Sequence, residues 1–291
     1  MTEATPQSEQ SATSQTQGVV HDVTLFAEPI FHVGSFTVTN SLINSWVAVF
    51  LLSLIAVAIG RSVRRIPKRI QAAAELVIQK ALELCDSVTN SRAKSEKIFP
   101  VVFSIFAFIL VNNWMGLLPG VGSIGFIVRE EGQSVFVPFL RGATADLNTT
   151  LALALFAVVA TNVFGIITVG AWNYFNKFIN VKGLLEIPGK MRKEPTIALV
   201  NPITFFVGII EVVGEIAKVA SLSFRLFGNI FAGEVLLSSL AVIFAYGLPI
   251  PFMFLEIIVG IIQALIFAML TLVYFAVASE GHGQETHAEA H

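Results

Sequence analysis

The sequence predicts an all-α integral membrane protein with several membrane-crossing helices and one interfacial helix. Its 291 residues are 55% hydrophobic and 13% charged, with a mean hydropathy of +0.76. A water-soluble chain of this length needs more polar surface to cover its core. Five apolar runs, at residues 45–60, 98–118, 151–170, 197–248 and 252–278, are near or beyond the length of about 20 residues that crosses a bilayer. Basic residues are unevenly spread. RSVRRIPKR at 61–69 follows the first run, and Lys177, Lys182, Lys190, Arg192 and Lys193 follow the third. Between the second and third runs stand only Arg129 and Arg141. The positive-inside rule places the two basic loops in the cytoplasm and the N-terminus outside.

Residues 1–25, rich in Thr, Ser, Gln and Glu, read as a disordered start. Residues 26–279 form one membrane domain, and 280–291 are a polar tail. The first 40 residues hold no Lys or Arg, so the basic start of a secretory signal is missing from them. Residues 26–40 suit a short extracellular structure ahead of the first span. Residues 72–86 interleave Glu75, Lys80, Glu83 and Asp86 with Leu and Val, which fits an interfacial amphipathic helix or an ordinary hairpin helix beside the membrane. The second run ends in VNNWMGLLPG, where Pro119 and Gly120 stop the helix. Asn112 and Asn113 there mark either a hydrated passage or helix-packing bonds. ADLNTT at 145–150 supplies caps for the next helix, and Asp146 reads as a cap or surface group. Pro195 precedes the long run. GLPIP at 247–251 turns into the last helix.

The run at 197–248 would measure about 75 Å as one helix against a hydrocarbon core of about 30 Å. Two upright spans joined near Gly228 and Asn229, or one long tilted or bent helix, both satisfy it. Pro202, Gly208, Gly214, Gly228 and Gly233 offer places for bending or close packing. At about 100° per residue, Lys218, Arg225 and Asn229 share a face, with Glu211 and Glu215 near it. Glu234 lies about 180° around and about 13 Å further along.

An arginine inside hydrocarbon stays protonated and is costly unless compensated. Lys218 has Glu211 or Glu215 for an internal pair, and Glu256 is also available. Arg225 has no acid three or four residues away, so its counter-charge must come from elsewhere. Glu256 and Gln263, seven residues apart, are nearly aligned on the final helix. Glu234 and Glu256 are candidates for proton exchange, while Gln263 can only position Arg225, a water or a neighbouring helix. A net charge of -2 argues against nucleic acid as a partner. The single cysteine, Cys85, reads as inert packing. The histidines lie outside the apolar runs, and no metal, cofactor or nucleotide motif stands out.

The stretch SLSFRLFGNIFAGE at 221–234, with IIQALIFAMLTLVYFAVAS at 261–279, resembles subunit a of the F-type ATP synthase membrane sector. AAELVIQ at 73–79, NNWMGLLP at 112–119 and ADLNTTLALAL at 145–155 are similar as well. The resemblance extends over nearly all of the chain after about residue 26 and implies a bacterial inner-membrane protein that is not an enzyme on its own. It implies that Arg225 faces the carboxylates of a rotating c-subunit ring, with Asn229 and Gln263 beside it. Glu211 would then belong to a cytoplasmic aqueous half-channel and Glu234 to an outer one, with Glu215, Lys218, Asn112 and Asn113 as accessory groups. Glu256 stands where many bacterial members have histidine, and Gly116 where many have aspartate. The resemblance also implies a b-subunit peripheral stalk as partner, protons as the transported ion, lipid as surroundings and a cytoplasmic C-terminus. It favours one long tilted helix over two spans at 197–248, so that five helices would cross the membrane and the last two would form a long tilted hairpin against the ring. A stand-alone secondary transporter built around Arg225 and a membrane scaffold with purely structural polar groups are the competing readings.

Overall fold

The computed structural model describes residues 27–279 apart from 64–68, 119, 123, 131–132, 173, 175–196 and 245–246. Two short strands, β1 (Pro29–Val33) and β2 (Phe36–Thr39), pair as an antiparallel hairpin. The chain then enters α1 (Asn40–Ser62), whose first turn is capped by Thr39 accepting from the Leu42 amide. Next come α2 (Arg69–Thr89) and α3 (Arg92–Gly116). A second hairpin, β3 (Gly125–Glu130) with β4 (Gln133–Pro138), leads through a 3-10 turn at Ala143–Ala145 into α4 (Leu147–Val169). Two long helices follow, α5 (Ile197–Ile243) and α6 (Pro249–Ser279). Among the described residues five helices, all but α2, are long and apolar enough to cross a membrane.

The long apolar run is one helix of 47 residues, with no turn at Gly228 or Asn229. Those two residues lie mid-helix, and the sequence between them and Arg225 never breaks the ladder. Gly247, at φ +99, makes the sharp part of the turn into α6. Pro249 and Pro251 fall in the first turn of α6, where a missing amide hydrogen costs no intrahelical bond. The second span ends at Gly116, three residues before Pro119, and the amide of Leu117 closes back on the Trp114 and Met115 carbonyls. Pro119 and both basic stretches at 64–68 and 177–193 lie outside the described residues, as do the two terminal segments. The two β-hairpins, both at the end where α3 stops and α4 starts, are additions to the expected all-α plan.

Asp146 is the N-cap of α4: its carboxylate accepts from the Asn148 amide, the Thr149 hydroxyl and, at 2.9 Å, the Ser41 hydroxyl of α1. At the opposite end, α2 turns into α3 through Asn90, at φ +50, with Arg92 bonded to Asp86 at 2.8 Å. α2 packs on α3 and α6. Cys85 is buried there with Ile98, Val102, Ala268, Leu272 and Phe275, a packing role for the thiol. The central core joins Ile105 and Ile109 of α3, Ala154 and Ala157 of α4, Leu222 and Leu226 of α5, and Ala264 and Phe267 of α6. Alanine at the α4 and α6 contact points lets the helix backbones approach closely, which drives association where lipid competes for apolar surface.

Candidate functional site

α5 carries polar groups to three places. At its middle, Leu222, Ser223, Leu226 and Phe227 are buried against the bundle. The Ser223 hydroxyl meets that of Thr150 at 3.2 Å. Ser221, Phe224, Arg225, Gly228 and Asn229 are exposed on the other face. Arg225 donates from Nη2 to the Ser221 hydroxyl at 3.2 Å, and no carboxylate among the described residues pairs with it. The helical period accounts for this: burying Leu222, Ser223, Leu226 and Phe227 together turns Arg225 outward.

Toward the α2 end, Lys218 donates to Glu215 at 2.6 Å and lies over the Tyr274 ring at 5.0 Å from its centroid. Asn162 of α4 donates to the same Glu215 at 3.3 Å, and the Tyr174 hydroxyl donates to Asn162. Glu215 therefore compensates Lys218, one of the two pairings open from the sequence. Burial, then the Glu215 and Glu211 carboxylates, push the Tyr174 hydroxyl up to about 12, so Glu211 shares this charged neighbourhood. Nothing in the local sequence announces Asn162 or Tyr174, which sit 53 and 41 residues from Glu215 and reach it through the packing of α4 on α5.

Toward the hairpin end, a cavity of about 420 Å³ lies between α3, α5, α6 and the segment after β4. Glu234 and Glu256 both line it, as do Asn112, Asn113, Gly116 and Arg141. Arg141, 5% exposed, grips Glu234, 33% exposed, with Nε at 3.1 Å and Nη2 at 3.0 Å. The Oε1 atom of Glu256 is buried and accepts no hydrogen bond from the described residues. It rests against Gly233, where any Cβ would collide with the carboxylate. Asn112 donates to the Phe108 carbonyl and accepts from Asn44 of α1 at 3.2 Å. Asn113 donates to the Gly260 carbonyl of α6 at 3.0 Å and accepts from Thr144 at 2.7 Å. Both asparagines thus make helix-packing bonds and border the cavity. Gln263 is half-buried on α6, two turns from Glu256 along the same face.

Sequence reasoning missed Arg141 as part of this site. Its signal was present: a cation in a connection with only one other, 93 residues from its partner in the chain.

Charged side chains on bilayer-length helices, with Arg225 exposed in mid-helix and Glu234 and Glu256 bordering a cavity beside Arg141, define a multi-span membrane protein that handles charge within its spans. The family model described as "ATP synthase A chain" matches residues 42–276. "ATP synthase subunit a" of Syntrophobacter fumaroxidans is 33% identical over 248 residues, covering 85% of this chain and 87% of that protein. "ATP synthase subunit a" of Moorella thermoacetica is 28% identical over 253 residues, covering 87% and 96%. The chain belongs to the ATP synthase A chain family, whose members are non-catalytic, ion-conducting subunits.

Proposed function

We propose that this chain is the proton-translocating stator subunit of a bacterial F-type ATP synthase, placed against a rotating ring of c subunits and held by a b-subunit stalk. The N-terminus and the hairpin end face outward, and the α2 end and the C-terminus face the cytoplasm. Protons moving down their gradient enter through the cavity bordered by Glu234 and Glu256 and neutralise a ring carboxylate. A neutral carboxyl crosses lipid at far lower desolvation cost than a charged one. After nearly a full turn, the site releases its proton to the cytoplasmic side near Glu211, with Glu215 and Lys218 holding the local charge balance. Arg225 attracts the re-ionised carboxylate and keeps the two passages electrostatically apart, with Asn229 and Gln263 orienting it. ATP chemistry lies in another part of the complex.

The observation that carries this reading is Arg225: a permanent cation in mid-span, exposed, with no carboxylate paired to it among the described residues. An isolated bilayer-embedded guanidinium is too costly to stand without a partner, and the outward face implies that the partner is another chain. Cross-linking tests it. In a Cys85→Ser background, cysteines at Ser221 and Asn229 should form disulfides with cysteines placed beside the ring carboxylate, whereas cysteines at Leu222 and Leu226 should not. Equal cross-linking from both faces, or none from the Arg225 face in an assembled complex, would remove the ring from this surface.

A further inference from the structure

At the α2 end, side chains from α4, α5, α6 and the segment after α4 touch in series: Tyr174, Asn162, Glu215, Lys218 and Tyr274. The Asn162 amide is the central link. Its Nδ2 faces two groups that can only accept, the Val158 carbonyl at 2.8 Å and Glu215 Oε2 at 3.3 Å. Its Oδ1 is left to accept, and the Tyr174 hydroxyl donates to it. A turned amide would set oxygen against a carbonyl and a carboxylate, so the tyrosine holds the one orientation that serves Glu215. Two glycines bring the tyrosine there. Gly170, at φ +90, lets the chain turn back after α4, and the Tyr174 amide bonds its carbonyl at 3.0 Å. Gly165 leaves a notch for the ring, since a Cβ there would lie 2.5 Å from Tyr174 Cε2. Glu215 then has both oxygens occupied, Oε1 by Lys218 at 2.6 Å and Oε2 by Asn162. An ion pair three residues apart on one helix is weak, and the Lys218 side chain is 31% exposed. The bond from α4 is the second anchor that keeps the carboxylate from swinging away.

Resting on the reading of the α2 end as the side where protons are released, we propose that Asn162 and Tyr174 are positioning residues that hold the Glu215 carboxylate on Lys218, so that the release passage carries no uncompensated cation. Lys218 lies two helical turns before Arg225, on the same side of α5. A bare ammonium there repels each proton on its way out. At a separation of about 10 Å and an effective dielectric of about 20, one uncompensated unit charge is worth about a tenfold change in rate. Neither Asn162 nor Tyr174 need touch the proton, since both act through Glu215.

The test uses the whole complex in liposomes, stripped of its ATP-hydrolysing sector, with passive proton flow read per assembled complex by a pH-sensitive dye. Asn162→Leu, which removes the amide at similar volume, should lower flow about threefold, the scale of one hydrogen bond to a charged group. Tyr174→Phe keeps the ring in its notch, and Gly165→Ala displaces the ring without altering a polar atom. Each should lower flow about twofold, because the amide loses its orienting donor. Glu215→Gln should lower flow about tenfold. The double variant Glu215→Gln/Lys218→Gln should run at least about threefold faster than Glu215→Gln, the non-additivity of directly coupled groups. The deciding measurement repeats Asn162→Leu and Tyr174→Phe in that doubly neutral background. No cation remains there for them to offset, so no further loss of flow should follow. Side chains that only brace α4 against α5 would lower flow in that background as much as in the parent. Glu215→Gln/Lys218→Met supplies the same background if the first pair assembles poorly. Parent-level flow in an assembled Asn162→Leu complex, a double variant no faster than Glu215→Gln, or full losses in the neutral background would each overturn the assignment. Failure of the stator reading would show elsewhere, in the cross-linking of the Arg225 face, so the two failures are distinguishable.

Discussion

Gly233 and Glu256 meet where α5 and α6 pack. The glycine lies on α5 one residue before Glu234, and the carboxylate from α6 occupies the volume where its side chain would be. Gly233→Ala drives the Glu256 carboxylate from its position. The displaced atoms are the end of a flexible side chain, so the cost in packing is small. The expected outcome is a nearly unchanged unfolding temperature in detergent, together with reduced passive proton flow in liposomes. Unchanged flow would show that Glu256 works equally well from another position. At this scale the sequence was unevenly legible. That Arg225 lacks a local acid follows from spacing on its own helix, and the structure keeps that spacing because α5 is unbroken. Arg141 stood out as one of two cations in its connection, but its pairing with Glu234 was not legible, since the pair joins a loop to a helix 93 residues away and no periodicity reports on how a loop folds back. Asn162 and Tyr174 were hidden for the same reason.

Between elements, capping and small residues set the geometry. α4 starts where Asp146 takes over its orphan amides, and the same carboxylate reaches the Ser41 hydroxyl at the start of α1. This ties two helix starts and the turn after β4 into one unit, next to the segment that carries Arg141. Asp146→Ala should therefore cost more than an isolated cap, toward the upper part of the usual range of about 0.5–2 kcal/mol. Thermal unfolding of the purified chain in detergent measures it. Asp146→Asn, which retains an acceptor for the Asn148 amide, should recover part of the loss. The cap was legible in ADLNTT, as were the spans, because hydropathy and bilayer thickness together leave few alternatives. The one helix that hydropathy left open, at 197–243, needed packing to decide it. Leu222 and Leu226 insert among α3, α4 and α6 without a break at Gly228. The β-hairpins were not legible: PIFHV and FTVT carry exposed apolar groups, so the alternation that marks a half-buried strand is weak there.

At the scale of the whole molecule, burial is strongly asymmetric. Of the most apolar stretch of α3, 39% of the residues are buried within the chain, against 11% for α5. α5 offers much of its described length outward, including Phe206, Ile210, Ile216 and Phe224. An outward apolar face alone suits lipid. An outward apolar face with Arg225 at its middle suits a protein surface carrying acid, and the charged groups behind it are arranged so that neither Lys218 nor Arg141 competes for that acid, each being occupied by Glu215 or Glu234. The whole account rests on Arg225 having its counter-charge on a moving partner. The most direct measurement replaces Arg225 with alanine in the reconstituted complex and reads ATP-driven proton pumping and passive proton flow separately. The account predicts an assembled complex in which coupled pumping falls to background while passive flow persists. Normal coupled pumping by the assembled Arg225→Ala complex would contradict it.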